Sequence, residues 1–420
     1  MKYQKKVIFL FMEHIPPERL EWLSKCFNTN ETEIANHKKL LKNQKNNGKL
    51  RFFLTGDALF SLIDKRHRKN WDKLIKLNNF QCHLDSEEIK LLGLEIDKLN
   101  KLYNKENLSG SQTLPNRILK NNSRFWDNVI KSVNNQSYGD NLGFLEFQGP
   151  YMSRTSIYAL QLLEKIIESK LNPELYTYLD GIHIGHLGQK PSEFENVEKK
   201  LLDLRKKANL NNLHFKMLSC SRCGTARGYI RDENDKEYFQ SEDTLQNYLF
   251  CNLNKIINRF EENNIILTPS CGSIQYLNGF NENVLDKKKE LNSKHPIIIF
   301  ITHSPYGSEW TFGGLSFAMA CANHEIPTKV IFIEDGTYCL PTIHKINEQD
   351  KIFNIQDIIL ATSDMEFLQY YVLDDSLKKR DFHLVNKLNN SIEKIDNIEL
   401  GRIILSRQYK SITHKRIIFY

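Results

Sequence analysis

The segment Gln148–Leu160 (QGPYMSRTSIYAL) returns as His303–Leu315 (HSPYGSEWTFGGL), with Pro-Tyr and then Ser in register and a helix-spaced apolar pattern behind them. Beyond each proline stands an acidic turn, Asp180-Gly181 in ELYTYLDGIH and Asp335-Gly336 in KVIFIEDGTY. Pro150 and Pro305 are 155 residues apart, and so are Asp180 and Asp335. Two motifs that recur at one offset without a gap mean that one supersecondary unit is written twice. A weaker third copy opens the chain. It has the apolar run Lys6–Met12, then Arg51–Phe60 with Gly56-Asp57 at its turn, a helical pattern from Trp71 to Lys76, and Phe80–Asp85.

Each copy reads strand, loop, helix, strand, acidic turn, helix, strand. That alternation predicts an α/β fold in which each copy is a mostly parallel sheet with helices on both faces. The runs Pro296–Ile301 and Lys329–Ile333 are apolar throughout, as strands covered on both faces must be. The expected domains are 1–103, 142–277 and 295–420, with linkers at 104–141 and 278–294. The first linker is Asn-rich, contains Ser109-Gly-Ser111 and has room for one helix over Arg117–Ser132; the second carries Lys287–Lys289. After Asp180-Gly181 the middle copy inserts His183, His186, Gly188 and Pro191–Asn196, then enters a helix over Val197–Leu210. The last copy closes on the runs Arg402–Ser406 and Lys415–Tyr420, read as a final strand.

Composition narrows the function classes. A chain of 420 residues, 40% hydrophobic, with 24 Phe and 17 Tyr, can build several cores and is not disordered throughout. Its charge of +7 is spread among asparagines, and the nearest basic cluster, Asp64–Lys69, is short. A nucleic-acid surface needs clustered cations interleaved with aromatics, so no nucleic-acid partner is expected. No apolar run reaches about 18 residues. The opening MKYQKKVIFLFMEHIPP meets Glu13-His14 too soon, and lacks a small-residue cleavage site, for a signal peptide. The expectation is a cytoplasmic protein with no membrane partner. Neither GxGxxG nor a Walker A motif occurs, so no NAD and no other cofactor is expected.

Eight cysteines (Cys26, Cys82, Cys220, Cys223, Cys251, Cys271, Cys321 and Cys339) are too sparse for a disulfide scaffold, and most read as small buried hydrophobes. Cys220-Ser-Arg-Cys223 stands apart. An apolar strand, Phe215–Leu218, runs into Cys220, and a helix-compatible turn follows, closed by Gly228. This puts Cys220 at a strand C-terminus and a helix N-terminus, the sheet edge where open α/β folds bind ligands. Backbone N–H groups, aided by Arg222 or Arg227, lower a thiol's pKa there, and a thiolate is a nucleophile. Cys223 lies on the same helical face and could resolve a Cys220 intermediate as a disulfide.

Other readings of this pair stay open. It could be half a zinc site, with Cys251, Cys271, His183 and His186 at hand, although no second CxxC exists and no metal is expected. It could be a redox dithiol without the Trp-Cys-Gly-Pro-Cys context, or two inert buried cysteines. Cys339 reads as a turn cysteine near the sheet edge of copy three. Cys251 reads as the start of a helix over Asn252–Phe260 that either faces the Cys220 pocket or packs in the core, and Cys271 as a turn residue after strand Ile265–Thr268, at a strand end that makes it a second candidate sulfur site. His183 and His186 follow the Asp180-Gly181 turn and either line the Cys220 pocket, relaying a proton, or are plain loop histidines.

Three features together resemble the DsrE/DsrF/DsrH superfamily, which includes the TusBCD sulfur-relay proteins. They are the Pro-Tyr-Gly-Ser turn (Pro305–Ser308, with Pro150-Tyr151 in copy two), the Asp-Gly or Gly-Asp turn after strand two, and a strand ending at a cysteine eight residues before Gly228, which follows Arg227. The resemblance implies three tandem DsrE-like domains, with Cys220 as the persulfide-forming cysteine. It further implies sulfur transfer as the activity, a persulfide donor or sulfur-carrier protein as partner, and a sheet-edge pocket to which Asp180, His183, His186, Arg222 and Arg227 belong. Copies one and three depart from it. Asp85 fills the cysteine slot in the first, with Cys82 three residues earlier, and Leu373–Asp381 replaces both cysteine and glycine in the third. One cysteine-bearing copy flanked by two without it resembles a fused version of the family's three-subunit relay complex, and two such chains could pair. The competing classes are a non-catalytic scaffold and a CxxC dithiol redox or zinc-binding protein.

Overall fold

A computed structural model describes residues 4–32, 49–77, 80–99, 119–133, 141–233, 237–261, 265–277, 294–407 and 412–420. In chain order the strands are β1 (Gln4–Phe11), β2 (Lys49–Leu54), β3 (Phe80–Asp85), β4 (Leu119–Asn122), β5 (Asn141–Glu146), β6 (Asn172–Thr177), β7 (Lys216–Cys220), β8 (Ile230–Glu233) and β9 (Glu237–Gln240). They continue as β10 (Leu249–Cys251), β11 (Ile265–Leu267), β12 (Ser270–Leu277), β13 (Ile297–Ile301), β14 (Thr328–Phe332), β15 (Leu368–Leu373), β16 (Glu393–Ile395) and β17 (His414–Phe419). The protein is α/β, and it divides into two compact units: residues 1–123 with 271–420, and residues 124–270.

The unit of residues 124–270 carries a parallel sheet in the order β10-β7-β6-β5-β11, with the antiparallel pair β8-β9 as a separate ribbon. The third copy repeats that order as β16-β15-β14-β13-β17, again parallel. The first copy supplies β4-β3-β2-β1, and the fifth place, beside β1, is taken by β12. β12 also pairs antiparallel with β17, with Cys271 opposite Ile418, so copies one and three share one sheet of ten strands.

This arrangement moves an expected boundary. Ser270–Leu277, counted above with the middle domain, is a strand of the other sheet, so the middle copy is inserted between the fourth and fifth strands of the first. Alternation marks these residues as a strand but says nothing of its partners. In the 104–141 stretch the described residues form β4 and a helix over Phe125–Val133, where one helix over Arg117–Ser132 was expected. The other stretch, 278–294, lies outside the described residues except for Lys294. Arg402–Leu405 is helical, inside Asn397–Leu405, because the Asp396 side chain accepts the Glu399 N–H and caps that helix; β17 alone is the final strand.

The repeated motifs have physical reasons. After the second strand each copy makes a 3-10 turn (Gly56–Leu62, Leu179–Gly185, Glu334–Cys339), and its first residue has φ of 55°, 53° and 54° respectively. A side chain there costs roughly 1–2 kcal/mol, so Leu179 and Glu334 hold strained positions. Two residues on, a Cβ on Gly336 would lie 1.9 Å from the Ile301 carbonyl oxygen, and one on Gly181 would lie 2.3 Å from that of Glu146. Glycine follows the acid because the turn presses against the end of the first strand. The tyrosine of each Pro-Tyr pair ties its loop to a helix start: the Tyr151 hydroxyl accepts the Val197 N–H at 3.2 Å and the Tyr306 hydroxyl accepts the Ile355 N–H at 3.3 Å.

The core of the larger unit is aromatic. Phe9, Phe11 and Phe52 pack against one another, and Trp22 lies over Phe300 and Phe419 with centroids 5.0 and 6.3 Å away. Burying such rings contributes most of the apolar area removed from water. Near the other end of β17, the His295 and His414 rings lie with centroids 3.9 Å apart, tilted by 47°, beside Arg416. Burial and the Arg416 cation hold His295 down to about 3 and His414 well below its ordinary value. Both histidines bind protons more weakly folded than unfolded, so their contribution is complete above about pH 6.5 and is lost as the pH falls below it. Each contributes a slope of up to about 1.4 kcal/mol per pH unit. Urea midpoints at pH 7.5 and 5.5 should show the loss, and His414→Gln should reduce it. No helix among the described residues is long and apolar enough to cross a membrane.

Candidate functional site

Cys220 ends β7 and caps the short helix Ser221–Ala226, with backbone φ −67° and ψ 119°. The equivalent positions are Asp85 (−71°, 114°) and Leu373 (−74°, 115°), each opening a short helix after the third strand. The backbone therefore builds the same slot three times, and the side chain decides its chemistry. Asp85 caps its own helix through the Glu87 N–H and accepts from the Thr55 hydroxyl at 2.9 Å. Leu373 joins the hydrophobic core. Of the three slots, the middle one alone offers a thiol. Gly228, at φ 78°, closes the helix as the sequence implied, and its N–H reaches the Thr225 carbonyl at 3.2 Å.

The two cysteines of the CxxC differ in ionisation. The Cys223 thiol donates a hydrogen bond to Cys220; with backbone N–H groups and the Arg222 charge, this holds the Cys220 thiol below its ordinary value against the cost of burial. Cys223 is driven the opposite way, by holding that hydrogen bond and by burial. The proton thus stays on Cys223 while Cys220 takes the negative charge. Both are buried, and Cys220 is only 2% exposed. The accessible thiol expected at this sheet edge is not found: Cys220 is buried where β7 passes into the short helix, with β10 beside it.

The other expected site residues divide. Arg222 is exposed and acts on Cys220 by its charge. Arg227 and Asp180 pair at 2.7 Å, but Arg380 and Asp335 make the same pair at 2.9 Å in the copy without a cysteine. That pair is a fixture of the repeat, tying the acidic turn to the residue before the left-handed cap. His183 and His186 gather on the Tyr229 ring, with His183 Nδ1 2.7 Å from its hydroxyl; burial lowers the His183 pKa. Tyr229 in turn stacks on Phe250, 5.8 Å away.

Sequence reasoning missed Tyr229, Phe250 and Tyr248, and it misplaced Cys251. Cys251 ends β10, and its register partner in β7 is Cys220. Leu249–Cys251 is too short to show strand alternation, so Cys251 read as the start of the helix that begins at Leu253. Beneath the site the Thr177 hydroxyl bonds the Ser219 hydroxyl at 2.9 Å and meets the Tyr248 hydroxyl, which donates to the Ile182 carbonyl at 3.0 Å. Such a satisfied buried network holds β6, β7 and the 3-10 turn in place. Cys271 lies within β12, not in a turn, and Cys339 is fully buried with its pKa pushed up by burial. Among the described residues no group of three or more His, Cys, Asp or Glu side chains converges as a metal site.

Comparison with known proteins adds little. No family model matches the chain, and no curated protein matches it. Among solved structures, the ychN protein from E. coli is similar at 20% identity over 30% of this chain and 99% of that one, with a TM-score of 0.25.

Proposed function

We propose that the chain carries sulfane sulfur as a persulfide on Cys220 and passes it to a carrier protein or acceptor thiol. The observation that carries this reading is the place of Cys220, at the carboxyl end of a parallel strand and the start of the helix Ser221–Ala226, where Cys223, backbone N–H groups and Arg222 favour its thiolate. In loading, the Cys220 thiolate attacks the outer sulfur of a donor persulfide. The bond from that sulfur to the donor breaks, the donor leaves as its thiolate, and Cys220 holds the transferred sulfur as Cys–S–SH. In unloading, an acceptor thiolate attacks the same outer sulfur and Cys220 leaves as thiolate. A leaving thiol of low pKa favours this second step. Because Cys220 is 2% exposed, a small donor must reach it, or the helix Ser221–Ala226 must open first.

Intact-mass measurement after incubation with a small persulfide donor tests the reading. Wild type should gain the mass of one sulfur atom, reversibly with reductant, and Cys220→Ser should not. No adduct on wild type whose thiols are free would remove Cys220 as a sulfur acceptor. A second reading, a dithiol oxidoreductase, is favoured by the direct Cys220–Cys223 contact. It predicts a reversible disulfide and no bound sulfane sulfur.

A further inference from the structure

We propose that Cys251 is the resolving thiol of Cys220, closing a cross-strand disulfide that expels whatever sulfur group Cys220 holds in mixed-disulfide linkage. This rests on Cys220 as the reactive thiol of the proposed function, but not on the identity of its sulfur cargo. β7 and β10 are neighbours in a parallel sheet, and Cys220 and Cys251 are register partners at the last residue of each strand. Neighbouring strands lie about 4.7–4.9 Å apart, and register partners in a parallel pair project to the same face. A disulfide spans Cα separations of about 4.4–6.8 Å, so the backbones already stand within its reach. Pairing stops at these residues, where Cys220 leads into the helix Ser221–Ala226 and Cys251 precedes the helix Leu253–Glu261.

The three thiols then have separate tasks. Cys223 holds its proton against the Cys220 thiolate. Burial and the nearby Cys220 charge push Cys251 up to about 11, so it stays a thiol while Cys220 is ionised. Once Cys220 is tied in a mixed disulfide its charge is gone, and one of the two causes that keep Cys251 protonated goes with it. Cys251 then gives its thiol proton to a base from solution, and its sulfur attacks Cys220 Sγ. The Sγ–Sγ bond forms, the bond to the outer sulfur breaks with its electron pair, and the bound group leaves as thiolate. The exchange is electron-neutral and needs no external oxidant; an external dithiol restores the pair.

The full chain treated with dithionitrobenzoate tests this, because thionitrobenzoate release counts each step. Wild type should release one equivalent as Cys220 forms the mixed disulfide, then a second as the internal disulfide closes, and peptide mapping without reductant should find Cys220 joined to Cys251. Cys251→Ser should stop after the first equivalent with a stable adduct on Cys220, while Cys223→Ala should release both equivalents, the first more slowly because Cys220 is less ionised without Cys223. Cys251→Ala, checked for native circular dichroism, should repeat the Cys251→Ser result and so set aside a folding defect. A Cys220–Cys223 linkage in wild type, or a second release from Cys251→Ser, would overturn the role of Cys251 while leaving Cys220 as the reactive thiol. No adduct on Cys220 at all would overturn both.

Discussion

Replacing Glu334 by alanine is expected to destabilise the larger unit by about 3–5 kcal/mol, because it strands the Arg19 guanidinium without its counter-ion. Arg19 donates to both carboxylate oxygens of Glu334, at 3.0 and 2.8 Å, and the Trp22 indole donates at 3.1 Å. The Arg19 and Glu334 side chains are 7% and 6% exposed, so water cannot replace the lost partner. The pair joins the first helix of copy one, Pro17–Thr32, to the acidic turn of copy three. It also accounts for a glutamate at φ 54°, where two other turns of this kind place Gly56 and Leu179. Urea unfolding followed by tryptophan fluorescence measures the loss. The double replacement Arg19→Met with Glu334→Met should lose less than either single change, since removing both charges leaves nothing unpaired. Equal losses for single and double variants would mean that packing, not charge, is what the site contributes.

Replacing Cys223 by alanine should make Cys220 about tenfold less reactive toward a bimane alkylator at neutral pH, because Cys220 loses the hydrogen bond that favours its thiolate. The Cys223 hydrogen bond is the largest of the causes that lower Cys220; the backbone N–H groups and Arg222 follow it, and burial opposes them. The pH midpoint of alkylation should move up. Cys223→Ser, which keeps a donor at that position, should sit between wild type and alanine. An unchanged midpoint in Cys223→Ala would assign the shift to the backbone and to Arg222 and would leave Cys223 without a part in sulfur handling.

What the sequence determined by itself was local and repetitive. The offset between Pro150 and Pro305 and between Asp180 and Asp335 marked the repeat, and the all-apolar runs marked buried parallel strands. The strand into Cys220 and the glycine closing its helix were legible because an apolar strand run and a left-handed cap are written in consecutive residues. The tertiary structure alone decided matters that depend on distant pairing. Nothing in Ser270–Leu277 says that it joins β17 and the first copy's sheet, nor in Leu249–Cys251 that it is a strand in register with β7, since a strand's sequence records its own alternation but not its neighbour. Motif reading likewise gave Arg227 and Asp180 to the thiol, and the tertiary structure showed that the same ion pair recurs as Arg380–Asp335 in copy three, which has no cysteine at that slot. The burial of Cys220 was invisible for the same reason: exposure is set by what packs around a residue, and one neighbour here, β10, follows it in the chain by some thirty residues.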